Sequence, residues 1–142
     1  MGYEATHNAI RNRFNANFVA TTDTLGTDDV AWDNTTFETH DDGDTSAWVR
    51  FQVLDGESQI RNLGGTTART LGLAVASVFV QAGQGDKLGL EITDEIVTAF
   101  KGVTHTYGGV TVNFRTPSVS TIGRDGSWWQ INVTIPFYTD DA

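Results

Sequence analysis

Cysteine is missing from the 142-residue chain, which excludes a disulfide scaffold, a thiolate metal site and a catalytic thiol. Proline occurs only twice and no proline-rich linker or internal repeat divides the sequence. Residues 1–142 therefore read as one domain, long enough to bury its own core. No apolar run approaches the roughly 18 residues that a membrane-spanning helix needs, so no membrane partner is expected. A basic-then-apolar signal segment is also lacking, which points away from secretion by the usual route. Met1-Gly2-Tyr3-Glu4-Ala5-Thr6 meets the loose myristoylation pattern, but reads as the start of a helix. Basic residues are scarce, nine against 18 acids, for a net charge of −9. A nucleic-acid-binding surface needs clustered Lys and Arg, and this balance argues against one.

Constellations that carry chemistry are also lacking. His7, His40 and His105 are the only histidines, and none forms a metal-ligand pair at short spacing. Gly83-x-Gly85-x-x-x-Gly89 lies where a dinucleotide fingerprint would lie. Its spacing is wrong by one residue, and Asp86 puts an acid where a pyrophosphate would sit. Asp41-Asp42-Gly43-Asp44 lacks the alternating acids and distant glutamate of a calcium loop. No Gly-x-Ser-x-Gly elbow is present. Asn34-Thr35-Thr36 and Asn132-Val133-Thr134 match the glycosylation pattern by chance. The expectation is a protein that is not an enzyme, with no catalytic residue, no cofactor and no metal.

What the sequence does have is periodicity. Tyr3, Ile10, Phe14 and Phe18 recur at helical spacing and predict an amphipathic helix over roughly residues 3 to 16. Ala47, Val49, Phe51 and Val53 alternate with Trp48, Arg50, Gln52 and Leu54, as in a half-buried strand. The polar stretch that follows, with Gly64-Gly65 at its turn, predicts a long hairpin whose tip projects beyond the core. Residues 71–80, LGLAVASVFV, are apolar on both faces, with Gly72, Ala74 and Ala76 on one side. That pattern suits a central strand with a helix lying close over it. A second helix is expected over 86–102, capped by Asp86 and ended at Gly102, with Leu88, Ile92, Ile96, Phe100 and Val103 as its stripe. A strand near 109–115 and a closing hairpin over 118–138, turned at Asp125-Gly126, complete the chain. The fold class predicted is α+β: a largely antiparallel, mixed sheet with two α-helices on one face and a projecting β-hairpin.

Two adjacent tryptophans open the last strand and must point to opposite faces. Trp129, Ile131, Val133, Ile135 and Phe137 form the predicted core face. A two-residue Asp125-Gly126 turn would pair Ile122 with Trp129 but set Ser120 beside Ile131, so a bulge or a close helix is expected. Trp128 falls on the mixed face, and tryptophan is favoured where protein surfaces meet. Trp128 is therefore a candidate contact residue, with a position under the chain's own loop as the alternative.

Residues 21–46 hold eight acids and no Lys or Arg. Most of this stretch reads as a long surface loop, with one short strand around Val30 to Trp32. The arginines lie mostly elsewhere: Arg50, Arg61, Arg69, Arg115 and Arg124 fall on strands or on the hairpin arm. Asp28, Asp29, Asp41 and Asp42 of one subunit are thus candidates to meet Arg61 and Arg69 of a neighbour, in a pairing that sets register more than affinity.

The opening YEATHNAIRNRF, the phrase VQAGQGDKLGLEITDEIVTAFKG and the tail GGVTVNFRTPSVSTIGRDGSWWQINVTIPFYTDD together resemble the small tail-terminator, or tail-completion, proteins of long-tailed bacteriophages, the lambda-like minor tail proteins. The resemblance spans nearly the whole chain in element order. It implies an α+β or α/β fold and a ring, most often of six copies. Such a ring caps the tail tube, ends its polymerisation and offers a joining face to the head-tail connector. The implied partners are the protein itself, the tail tube protein and the connector, with DNA passing through the lumen without specific binding. The implied location is the virion, with the host cytoplasm before assembly. Another connector or a tail-tube subunit is the first alternative. A carbohydrate-binding module stacking sugars on Trp48 or Trp128 is the second, and two helices count against it.

Overall fold

The computed structural model describes residues 3–19, 30–32, 47–60, 68–83, 87–126 and 128–141. Two α-helices cover one face of a seven-stranded, mostly antiparallel sheet with strand order β1-β2-β3-β7-β5-β4. The strands are β1 (Val30–Trp32), β2 (Trp48–Ile60), β3 (Ala68–Gln81), β4 (Thr104–Tyr107), β5 (Val110–Phe114), β6 (Ser118–Asp125) and β7 (Trp128–Asp141). β6 lies off that path and pairs with β7. The parallel pair β1–β2 makes the sheet mixed, and the predicted α+β class holds.

Helix α1 (Tyr3–Phe14) runs into a π-helical turn, Asn15–Val19. Ile10, Phe14 and Phe18 recur every four residues, so an unbroken α-helix would drift by about 40° at each step. The wider π turn offsets that drift, and all three side chains are buried. Phe14 stacks on Phe51 of β2 at 4.2 Å and lies 6.2 Å from Phe100 of helix α2 (Lys87–Phe100). This aromatic layer fixes both helices to the same face. Arg13 strengthens the junction by donating from Nε to the Ala99 carbonyl at 2.8 Å. Burial alone pulls its guanidinium below the ordinary arginine value.

The stripe of α2 is shifted from the expected one. Ile92, Ile96 and Phe100 are fully buried, but Leu88 is 38% exposed and Gly89 is buried instead. A side chain at Gly89 would bring its first carbon within 2.9 Å of Ile131. The last glycine of the Gly-x-Gly pattern thus lets the helix lie close on β3 and β7. Asp86, the expected cap, lies outside the described residues.

β3 is central, as its apolar faces require, between β2 and β7. The β2–β3 hairpin continues to the pair Ile60–Ala68, with an irregularity between Asp55 and Ser58. Its tip at Gly64-Gly65 lies outside the described residues. The arm has more support than its polar sequence suggested, because β7 runs alongside β3 as far as the pair Ala68–Asp141. Gly72 also differs from expectation. The ring of Phe137, rather than a helix, fills its place, and an added Cβ would meet it at 2.5 Å.

Sequence reading missed β4. THTY and VTVNF flank Gly108-Gly109, and both glycines have positive φ, 62° and 83°. With Tyr107 paired to Val110, this is a two-residue type I′ hairpin, which the doublet signals. The closing hairpin is set two residues from the expected register: Asp125 pairs with Trp128 and Arg124 with Trp129. The expected bulge is present, between Thr121 and Gly123. On the core face of β7, Ile131, Val133, Ile135 and Phe137 are all buried, each contributing about 1.5–3 kcal/mol.

Candidate interaction surfaces

The face of the sheet away from the helices carries its own small core at one end. Trp48 stacks on Phe79 at 4.1 Å, and Trp128 meets Trp48 edge-on at 6.2 Å. Ala31 completes the cluster. Trp128 is only 8% exposed, so the structure places this candidate contact residue against its own chain. Trp129, expected in the core, is half-buried and packs at the edge of the main cluster.

Further along the same face an apolar strip is open. Leu54 pairs across strands with Leu73, and Leu73 with Pro136. Leu54 is 50% and Leu73 39% exposed. A shallow groove of about 290 Å³ lies here, lined by Leu71, Leu73, Pro136 and Arg115. Its polar end is built on Tyr138. Arg69 lies 4.1 Å and Arg115 5.1 Å from the centre of that ring.

Arg69 is already engaged within the chain. Its Nε and Nη2 donate to the two carboxylate oxygens of Asp140 at 2.8 and 3.1 Å. The hydrogen bond to Asp140 holds its guanidinium above the ordinary arginine value. No local pattern matches two residues 71 positions apart. Arg61, Asp28, Asp29, Asp41 and Asp42 lie outside the described residues.

Two histidines have polar partners. His7 Nε2 lies 3.0 Å from the Asp55 carboxylate on β2. His105 Nε2 lies 2.9 Å from Asn12 Oδ1. Burial, aided by the charge of Arg13, lowers the pKa of His105. Among the described residues, no group of three His, Asp or Glu is placed to hold a metal ion. No described helix is long and apolar enough to cross a membrane.

The phage tail terminator protein family matches residues 7–137. The chain belongs to that family. The matched span begins in α1 and reaches into β7, so it takes in both helices and all seven strands. Family membership makes this a phage tail protein that acts in tail assembly. No curated protein matches the chain. One solved structure aligns with a TM-score of 0.76 at 20% identity, covering 98% of this chain and 96% of that one. At that identity the likeness shows the fold alone.

Proposed function

We propose that the protein ends a phage tail by closing a ring, of six copies, on the completed tail tube. The ring stops tube polymerisation and presents a joining face to the head-tail connector, and DNA passes through it unbound. The match to the tail terminator family over residues 7–137 carries this reading. The chain works by binding, not catalysis, as one domain. Its net charge of −9 supports a lumen that repels phosphate.

Charge pairing between copies sets register in this reading, with Asp41 and Asp42 facing Arg61 of a neighbour. Trp128 and Arg69 serve the contact from within, Trp128 by stiffening one end of the open face and Arg69 by anchoring the arm to Asp140. The test adds purified protein to growing tail tubes and images them by electron microscopy. A ring at the tube end, arrested growth and recovered head joining are expected. Incorporation along the length of the tube would make the chain a tube subunit and overturn the reading.

A further inference from the structure

We propose that copies meet head to tail through opposite edges of the sheet, with the β6 edge of one copy running antiparallel beside the β1 edge of the next. The proposal deepens the ring reading and rests on it.

β6 is an open edge. Among the described residues it pairs with β7 alone, and its residues Ser118 to Ile122 are all exposed, Val119 by 48% and Ile122 by 54%. Folded proteins block such edges with charges, prolines or bulges. Here residues 118–123 carry no charge, and the bulge at Ile122 leaves Ser118 to Thr121 regular. At the other end of the sheet, β1 pairs with β2 alone among the described residues.

The two edges are matched in direction. β1 is parallel to β2, and the steps β2–β3, β3–β7 and β7–β6 are each antiparallel. β1 and β6 therefore run opposite ways. Set side by side with the sense each has in its own sheet, β6 of one copy pairs antiparallel with β1 of the next.

They are also matched in height. Pairing rows cross the sheet from one edge to the other: Val30, Val49, Val78, Ile131 and Thr121 form one row. Trp32, Phe51, Ala76, Val133 and Val119 form another. Joining the edges row to row thus continues the register that already crosses the sheet. A head-to-tail contact closes into a ring where successive copies turn without rising, and climbs into a filament otherwise.

Charge favours the same contact. Residues 96–124 contain no Asp or Glu and three bases, Lys101, Arg115 and Arg124, on a chain of net charge −9. This acid-free segment forms β4, β5 and all of β6 except Asp125. Asp28, Asp29 and Asp33 are within two positions of β1 in the sequence. Copies that repel overall would then meet cationic edge to acidic edge.

The absence of cysteine makes a clean test possible. A Ser120→Cys, Asp29→Cys double variant is treated with a short bifunctional thiol reagent and run on a denaturing gel, alongside each single variant and native mass spectrometry. A ladder of covalent multimers from the double variant, with nothing above dimers from the singles, is expected. Rings seen by mass spectrometry without the ladder would overturn the edge pairing and leave the ring reading standing. Neither rings nor ladder, on tail tubes as well as in solution, would overturn both. As a second arm, Thr121→Glu with Arg124→Glu should raise the concentration for half-assembly at least tenfold at an unchanged melting temperature. Adding Asp29→Arg and Asp33→Arg should restore assembly. Unchanged assembly, or rings that form normally but no longer bind tubes, would assign β6 elsewhere and overturn the pairing.

Discussion

Trp128 and Trp129 are neighbours on opposite faces of β7, yet the one on the helix-covered face is the more exposed. The two faces of the sheet exchange roles at this end. On the covered face, α2 starts at Lys87 with Leu88 and Leu90 partly in solvent, and its close approach is over Ile131 and Val80. Trp129 lies at the margin of that cover. On the open face, Trp48, Phe79 and Ala31 enclose Trp128. A few residues further along, the pattern is ordinary: Phe137 is buried under cover, while Leu54 and Leu73 stand exposed opposite. Burial along a strand depends on how far the covering element reaches, and not on face alone.

The comparison can be broken from the covered side first. Phe51 stacks under Phe14 and faces Phe100, so Phe51→Ala should cost about 4 kcal/mol in urea unfolding. Next come the tandem tryptophans. Trp128→Ala should cost about 3 kcal/mol and Trp129→Ala about 2 kcal/mol, since less of Trp129 is removed from water. A larger loss at Trp129 would restore the simple division into a core face and an open face. Gly72→Ala pushes a methyl into the Phe137 ring and the Leu54 carbonyl, and should cost about 1–3 kcal/mol. Phe137→Leu in the same chain should recover part of that loss, measured as a double-mutant cycle.

A gentler effect is gated by pH. Folded His105 has a lowered pKa, through burial and then Arg13, so it binds fewer protons than the unfolded chain below the ordinary value of 6.5. Stability should therefore rise with pH across that window and be fully present above 6.5. His105→Gln should flatten this component of the melting-temperature profile between wild type and variant. The smallest change is expected on the open face, where Leu73→Ser should alter stability by no more than about 0.5 kcal/mol. A large loss there would mean that the apolar strip is covered within the monomer.

Much of the fold was legible because it rests on local periodicity. The alternation of β7, the stripe at Ile92, Ile96 and Phe100, and the two-faced apolar run of β3 follow from where side chains point on a strand or a helix. β4 was missed although Gly108-Gly109 signals its turn, because its four residues are mostly exposed and carry no apolar pattern to mark them. The contact surfaces were less readable. Arg69 reads as a free cation on a polar arm until the fold sets Asp140 beside it. Trp128 reads as an exposed contact until two distant strands bring Trp48 and Phe79 over it.

By itself, the sequence determined the α+β class, the acidic balance, the lack of thiol chemistry and the core side of α1, β2 and most of β7, all of which depend on residue type and spacing along a few turns. Only the tertiary structure decided which tryptophan is buried, where Arg69 of the arm finds its partner, and that β1 and β6 end the same rows at opposite edges. Those outcomes depend on β3 and β7, whose paired residues lie 47 (Gln81 and Trp128) to 73 (Ala68 and Asp141) positions apart in the chain, lying side by side, and no local pattern encodes which distant strand will be the neighbour.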